Sequence, residues 1–158
     1  MTEDNAIKIL DIGCGNRIYP NAVGIDKNYS EADIIQDLDI TDIPFPNNHF
    51  NLVIARDSIE HFGNHRHVFS EVNRVLKPKG VFRVETKNVC FLPIRLLFFI
   101  DINLFWRHKV NTKRTPHMTH WTPNMLVMWF ELNGFSTFCI KSNLFFNYNL
   151  IIEGIKIK

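Results

Sequence analysis

The chain has 158 residues and a formal net charge of +2, with positive and negative side chains interspersed. This length fits one domain, residues 1–158, and the charge pattern lacks the Lys/Arg clusters of a nucleic-acid binder, so no nucleic-acid partner is expected. The three cysteines are scattered and form no disulfide framework or Cys-x-x-Cys metal motif. Because the polar N-terminus also lacks a secretory-signal pattern, we expect a cytoplasmic protein.

The first predicted strand, Ile7 to Ile12, leads into a glycine-rich turn. The strand is apolar, as in a buried parallel sheet, and Gly13 and Gly15 let the backbone bend sharply and approach a ligand. A dinucleotide fingerprint would require a third glycine where Ile18 stands, so NAD and FAD are disfavoured. Cys14, between the two glycines, is expected to be a small neutral filler rather than a reactive thiol.

The next elements are short and closely spaced. Asn16 and Val23 are too close for a crossover helix between the first two strands, and Pro20 also opposes one. Arg17 in this connection is either a substitute for the helix in binding a carboxylate or a solvated loop arginine. The other elements predicted before residue 88 are the strands Ala22 to Asp26, Asp33 to Gln36, Phe50 to Ala55 and Val81 to Glu85, and a helix His65 to Leu76 ended by Pro78 and Gly80.

The second half of the chain begins with an apolar stretch. Residues 89–106 contain charges and a proline, which argues against a transmembrane helix and favours an amphipathic segment that covers a pocket, packs on a partner or lies in a membrane interface. The remaining elements predicted here are a helix Pro93 to Trp106, a basic loop His108 to Arg114, a helix from Thr122 to Asn133 with Gly134 as its stop, and an antiparallel hairpin of Phe135 to Ser142 and Leu150 to Lys158 joined by Asn143 to Asn149.

Four ordered segments between residues 7 and 88 resemble motifs of the class I S-adenosylmethionine-dependent methyltransferases, of the small-molecule type 11 kind. The segments are Leu10-Asp11-Ile12-Gly13-Cys14-Gly15, Val23-Gly24-Ile25-Asp26, the run Asp39 to Val53 with its Ile43-Pro44-Phe45, and the pair Ser58-Ile59-Glu60-His61 and Asn73 to Gly80. The resemblance implies an α/β, Rossmann-like, doubly wound and mostly parallel seven-stranded sheet of order 3-2-1-4-5-7-6. Its last strand would be antiparallel, and residues 89–121 would form an acceptor-side helical insertion. The first crossover helix, missing or reduced in this sequence, is a departure from the family pattern.

The resemblance also implies S-adenosylmethionine as cofactor, bound at the carboxyl ends of the strands. Asp26 would accept hydrogen bonds from two ribose hydroxyls. Asp39, with Ile40 as an apolar face, would bind the adenine, and Asp37 is the alternative. The predicted cofactor-binding residues are Asp11, Gly13, Cys14, Gly15, Asn16, Arg17, Asp26, Lys27, Asp37, Asp39, Ile40, Arg56, Asp57 and Ser58.

The acceptor side is expected just beyond the fourth strand. His61 is a candidate general base for a hydroxyl acceptor, or Glu60 and His61 are a packing or capping pair at a helix start. Glu60, His117, His120 and Trp121 are the candidate acceptor contacts. Two histidines without a fixed third ligand predict no metal site.

The predicted function is therefore transfer of a methyl group from S-adenosylmethionine to a small-molecule, saccharide or lipid-precursor acceptor, with oxygen favoured. Methyl transfer needs alignment and exclusion of water more than a dedicated triad. The alternative is a non-catalytic S-adenosylmethionine-binding or fold-only scaffold, or a protein that contacts a partner or membrane surface through residues 89–106.

Overall fold

The computed structural model describes residues 7–88, 118–143 and 147–158. A single sheet holds the strands of these residues, and two α-helices and one 3-10 turn accompany it. The strands are β1 Ile9–Ile12, β2 Ala22–Asp26, β3 Ile34–Ile35, β4 Phe50–Arg56, β5 Leu76–Lys87, β6 Phe135–Asn143 and β7 Asn147–Lys156. The helices are α1 His65–Val75 and α2 Pro123–Leu132, and the 3-10 turn is Ile59–His61.

The strand order is β3-β2-β1-β4-β5-β7-β6. Neighbours from β3 to β5 pair in parallel, whereas β7 runs antiparallel to both β5 and β6. The order implied by the resemblance and its antiparallel last strand are therefore confirmed. Residues 13–21, which join β1 to β2, contain no helix, as their number predicts. The predicted helix Pro93 to Trp106 and the loop His108 to Arg114 lie outside the described residues.

Several predicted boundaries were wrong, most of them by one or two residues, and the largest differences lie at the start of β5 and at the start of β7. Helix α1 ends at Val75 and β5 starts at once, because Leu76 pairs with Phe50 of β4. Pro78 and Gly80 therefore lie inside β5, where the pairing with β4 shifts register, rather than ending a helix. Strand β7 begins at Asn147 instead of Leu150 and ends two residues before Lys158.

Side-chain caps start both helices. The Asn64 side chain accepts a hydrogen bond from the backbone N–H of His67 at the start of α1. Thr122 accepts one from Met125 N–H at 3.2 Å, which confirms the predicted cap of α2, with Pro123 in its first turn. Such caps satisfy backbone donors that have no partner within the helix.

The aromatic core lies on one face of the sheet. Phe82 of β5 is in contact with Phe69 of α1 and Phe130 of α2, with ring centroids 5.3 and 5.1 Å away. The two helices therefore pack on the same face, with all three rings fully buried. Trp121 joins this layer through contacts with His65 and Trp129.

The opposite face is covered differently. Within the described residues neither α-helix packs there, and β5 presents Arg83 and Glu85, which form an ion pair. Arg83 also pairs with Glu153 of β7 at 3.4 Å. None of the described helices is both long and apolar enough to cross a membrane.

The two edge strands are irregular or short. At one edge β3 has only two residues. At the other edge β6 exposes Phe138 and Ile140, and its pairing with β7 shifts register twice along its length. Both edges therefore interrupt the regular strand geometry.

The tight contact between α2 and β7 predicts the effect of Gly154→Ala. A Cβ at Gly154 would overlap the Phe130 ring and lie 3.1 Å from the Cβ of Phe135. We expect the substitution to lower the free energy of unfolding by about 1–3 kcal/mol in urea denaturation, as overpacked cores do. Gly63→Ala is the control, since its nearest neighbour, Asp39 Oδ2, is 3.7 Å away; equal losses would contradict the prediction.

Candidate functional site

The carboxyl ends of the parallel strands β1 to β5 meet at one edge of the sheet. The turn after β1 holds two glycines with left-handed backbones, Gly13 at φ +64° and Gly15 at φ +60°. Gly13 N–H and Cys14 N–H both donate to the carbonyl of Ile25 in β2. The turn is therefore fixed to the neighbouring strand in a conformation that side chains with a Cβ rarely adopt.

Gly13 and Gly15 face different surroundings. A Cβ on Gly13 would lie 2.5 Å from the Cβ of Ser58, whose hydroxyl donates to the carbonyl of Ile12 at 2.9 Å. A Cβ on Gly15 would meet only the ring of Tyr29, at 3.9 Å. Gly13 is thus needed for packing between β1 and the turn after β4, whereas Gly15 leaves room for a ligand against the backbone.

Asp26 at the end of β2 bonds directly to the glycine turn. Its Oδ2 accepts from Gly15 N–H at 2.9 Å, and its Oδ1 accepts from Asn28 N–H at 2.8 Å. A carboxylate has about four lone-pair sites, so each oxygen can accept one further hydrogen bond. That capacity fits a pair of ribose hydroxyls.

Asp11 of β1 is fully buried. Its Oδ2 accepts from Tyr19 N–H at 2.8 Å and from the Arg56 guanidinium at 2.7 Å. Its Oδ1 has no hydrogen-bond partner among the described residues. Burial raises the pKa of this carboxyl, although the Arg56 charge opposes the shift.

Cys14 has the chemistry of a buried filler. Burial, reinforced by the charges of Asp11 and Asp26, raises the pKa of its thiol to about 12. The thiolate needed for nucleophilic chemistry is therefore strongly disfavoured. Its Sγ packs over Gly24 of β2, where an added Cβ would lie 2.8 Å from the sulfur.

The two candidate adenine-binding aspartates lie on either side of Lys27. The Lys27 ammonium is 3.6 Å from Asp37 and 3.7 Å from Asp39. Asp39 also accepts from the backbone N–H groups of Gly63 and Asn64, so its carboxylate fixes the start of α1. Asp37 is the more exposed of the two, and Ile40 is an apolar side chain with 79% exposure beside them.

The remaining predicted cofactor residues differ in what their side chains contact. Arg56 and Ser58 bond to β1 and its turn, as described above. The residues Asn16 and Arg17 are exposed, and the described bonds of Arg17 are made by its backbone: its N–H donates to the Cys14 carbonyl and its carbonyl accepts from Arg56. Asp57 pairs with Lys87 of β5 at 3.0 Å.

The candidate acceptor side begins at the 3-10 turn. Glu60 is buried, and its carboxylate accepts from the Thr86 hydroxyl at 2.8 Å. Burial raises the pKa of Glu60, with Thr86 and His61 opposing the shift. The Glu60 carbonyl accepts from the N–H groups of Met118 and Thr119, so the segment before α2 is brought to the turn that carries half-buried His61.

The other candidate acceptor contacts are placed differently. Trp121 is 1% exposed and packs on His65 and Trp129, so it is a core residue with no surface for an acceptor. His120 is exposed, and His117 lies outside the described residues. Within the described part of the chain, no group of three metal-ligating side chains comes together.

Two contributors were missed by the sequence analysis. Tyr19 donates its backbone N–H to Asp11, and its ring lies 5.3 Å from the Arg56 guanidinium. An aromatic residue inside a connection too short for a helix is the signal that could have identified it. Thr86 binds Glu60 across 26 positions of sequence, and no local pattern announces such a pair.

Part of the chain is similar in sequence to known proteins. Residues 10–84 match the family model of a methyltransferase domain. The chain is 31% identical over 102 aligned residues to the sterol 24-C-methyltransferase of Gibberella zeae, covering 49% of this chain and 27% of that enzyme. It is 44% identical over 46 residues to the glycine/sarcosine/dimethylglycine N-methyltransferase of Actinopolyspora halophila, covering 29% and 8%.

The solved structures agree in fold. An S-adenosylmethionine-dependent methyltransferase from Mesorhizobium loti superposes with a TM-score of 0.68 at 16% identity, covering 98% of this chain and 93% of that one. Residues 10–84 therefore match a methyltransferase domain in sequence, and the superposition shows that the chain shares the fold of such a protein, in agreement with the resemblance noted in the sequence. The chain spans about a quarter or less of the length of the two curated relatives named above.

The unequal surroundings of the two glycines predict unequal costs of substitution. Gly13→Ala combines the left-handed backbone cost of about 1–2 kcal/mol with an overlap on Ser58. Gly15→Ala carries the backbone cost alone. We expect Gly13→Ala to lose clearly more free energy of unfolding in urea denaturation; equal losses would show that Ser58 yields without cost.

The buried Glu60 carboxyl predicts a pH dependence of stability. The pKa of Glu60 is higher in the folded protein than in the unfolded chain. At pH values between these two pKa values, the folded protein therefore holds a proton that the unfolded chain has released. Its contribution is therefore most favourable below the unfolded pKa and falls as pH rises through the folded pKa, by at most about 1.4 kcal/mol per pH unit.

Glu60→Gln removes this titration and keeps an acceptor for the Thr86 hydroxyl. We expect the stability of the native protein to fall relative to this variant as pH rises from 4.5 to 8, measured by urea unfolding at each pH. The control is Glu31→Gln at an exposed position. Parallel curves for the native protein and Glu60→Gln would contradict the assignment.

Proposed function

We propose that this protein binds S-adenosylmethionine at the carboxyl edge of β1 and β2 and transfers its methyl group to a small-molecule, saccharide or lipid-precursor acceptor. The observation that carries the proposal is the left-handed Gly13 to Gly15 turn, open above Gly15 and bonded to the Asp26 carboxylate. A flat, hydroxylated ligand group can approach the backbone at Gly15 while Asp26 accepts from its hydroxyls.

The polar groups around the turn fit the parts of this cofactor. Asp26 would hold the ribose, and Asp37 or Asp39 with Ile40 would hold the adenine. Asp11 is fully buried, so it would support the turn through its bonds to Tyr19 and Arg56 rather than contact the ligand directly. S-adenosylmethionine supplies a methyl group on a sulfonium, so the chain's task is to align the acceptor and to exclude water.

His61 supports a hydroxyl acceptor. It lies on the 3-10 turn directly after the end of β4, beside the segment that precedes α2. A histidine there can take the proton that a hydroxyl loses when the methyl group arrives. The two curated relatives act on carbon and on nitrogen by their names, so oxygen as the accepting atom rests on His61 and on the frequency of such acceptors in the family.

Calorimetric titration of S-adenosylmethionine and S-adenosylhomocysteine into the native protein and Asp26→Asn tests the proposal. The native protein should bind both compounds. Asp26→Asn should bind both at least about tenfold more weakly, because the substitution removes the negative charge and replaces one of the two acceptor oxygens of the carboxylate with an NH2 group. Glu31→Gln is the matched control at an exposed acidic position near β3 and should bind as the native protein does.

The same titration separates the two functional hypotheses. Absence of binding by a folded native protein would refute the enzyme proposal and favour a scaffold that retains only the fold. Binding without turnover across hydroxylated, amine and carbon acceptors would favour a non-catalytic cofactor-binding protein. A His61→Ala variant that binds the cofactor normally but loses methylation of a hydroxylated acceptor would support the proposed base.

A further inference from the structure

Residues 13–21 join β1 to β2 on the proposed cofactor side of the sheet without a crossover helix. The Arg56 side chain contacts the second half of this loop. The Arg56 guanidinium donates from one nitrogen to Asp11 at 2.7 Å and to the carbonyl of Arg17 at 2.6 Å. Its central carbon, Cζ, lies 5.3 Å from the centroid of the Tyr19 ring. Arg56 of β4 therefore connects β1 with the helix-free loop between β1 and β2.

The two ends of this loop are fixed by different elements. The first half is bonded to β2 through the Gly13, Cys14 and Gly15 backbone N–H groups. The second half is bonded through Tyr19 N–H to Asp11, and the same carboxylate oxygen accepts from Arg56. Loss of the guanidinium would leave Asp11 buried without its charge partner and would release the Arg17 carbonyl.

We propose that Arg56 is a positioning residue that replaces the first crossover helix: it holds residues 17–19 on Asp11 and thereby keeps the Gly13 to Gly15 turn in the form that accepts the cofactor. This inference rests on the proposed function for its effect on binding. A turn that is competent in only a fraction of molecules binds with an affinity reduced by that fraction.

The test compares arginines on neighbouring strands of the same sheet face. Arg56→Met removes the donors and keeps an apolar chain of similar length, and Arg56→Lys restores a positive charge without the planar group. Arg83→Met is the matched control, because Arg83 has similar exposure, 32% against 29%, and its ion pairs with Glu85 and Glu153 do not involve the loop.

Affinity for S-adenosylhomocysteine is the first readout. We expect Arg56→Met to weaken binding at least about tenfold, as when only about a tenth of the molecules hold the competent turn. Arg56→Lys should recover part of the loss, and Arg83→Met should bind as the native protein does. An Arg56→Met protein that is less stable but binds normally would overturn the inference, since the side chain would then act only on stability.

Hydrogen exchange of the Tyr19 amide in the free protein is the second readout and needs no cofactor. The amide should exchange at least about tenfold faster in Arg56→Met, relative to amides of β5, and unchanged in Arg83→Met. If Arg56→Met does not fold, Arg56→Gln, which also removes the positive charge, carries the test, and native-like exchange and affinity in it would overturn the inference. Native protein that binds no cofactor while Tyr19 exchange depends on Arg56 would refute the proposed function and leave the role of Arg56 in holding the loop.

Discussion

The ion pair between buried Asp11 and partly exposed Arg56 is the interaction on which the cofactor side of this sheet depends. A carboxylate with no exposure is costly unless charge and hydrogen bonds compensate, and here one oxygen receives both a guanidinium and a backbone N–H. The same contacts draw the short connection after β1 against the sheet. A longer connection between β1 and β2 could form a helix there, whereas this short one is held by Asp11, Arg56 and the ring of Tyr19.

The fold was largely predictable because its signals are local. The apolar runs, the number of residues between strands and the Thr122 cap depend on residues close in sequence. The start of β5 was not predictable, because Pro78 and Gly80 resemble a stop signal while Leu76 is recruited into the sheet by pairing with distant Phe50. At this point the pairing between distant strands determined the structure, rather than the local stop residues Pro78 and Gly80.

The sequence predicted which residues would lie at the carboxyl ends of the strands, but it did not predict the contacts that each side chain makes there. Strand ends and glycines located the crevice, since parallel strands bring their carboxyl ends together. The partners of each side chain come from far along the chain, as with Arg56 and Asp11, 45 positions apart, and Asp39 and Gly63, 24 apart. Sequence spacing does not encode such contacts, so the bonds of Arg56 to Asp11 and to the loop were not predicted, nor was the position of Trp121 in the core.

The interrupted edges of the sheet bear on how the protein behaves at high concentration. A long, regular edge strand offers unpaired N–H and C=O groups to another chain and promotes intermolecular aggregation. Here one edge strand has two residues, and the other shifts register twice beside exposed Phe138 and Ile140. Those irregularities make β6 a poor template for the addition of a strand from another chain. The exposed apolar side chains of β6 favour self-association, and the irregular backbone opposes it.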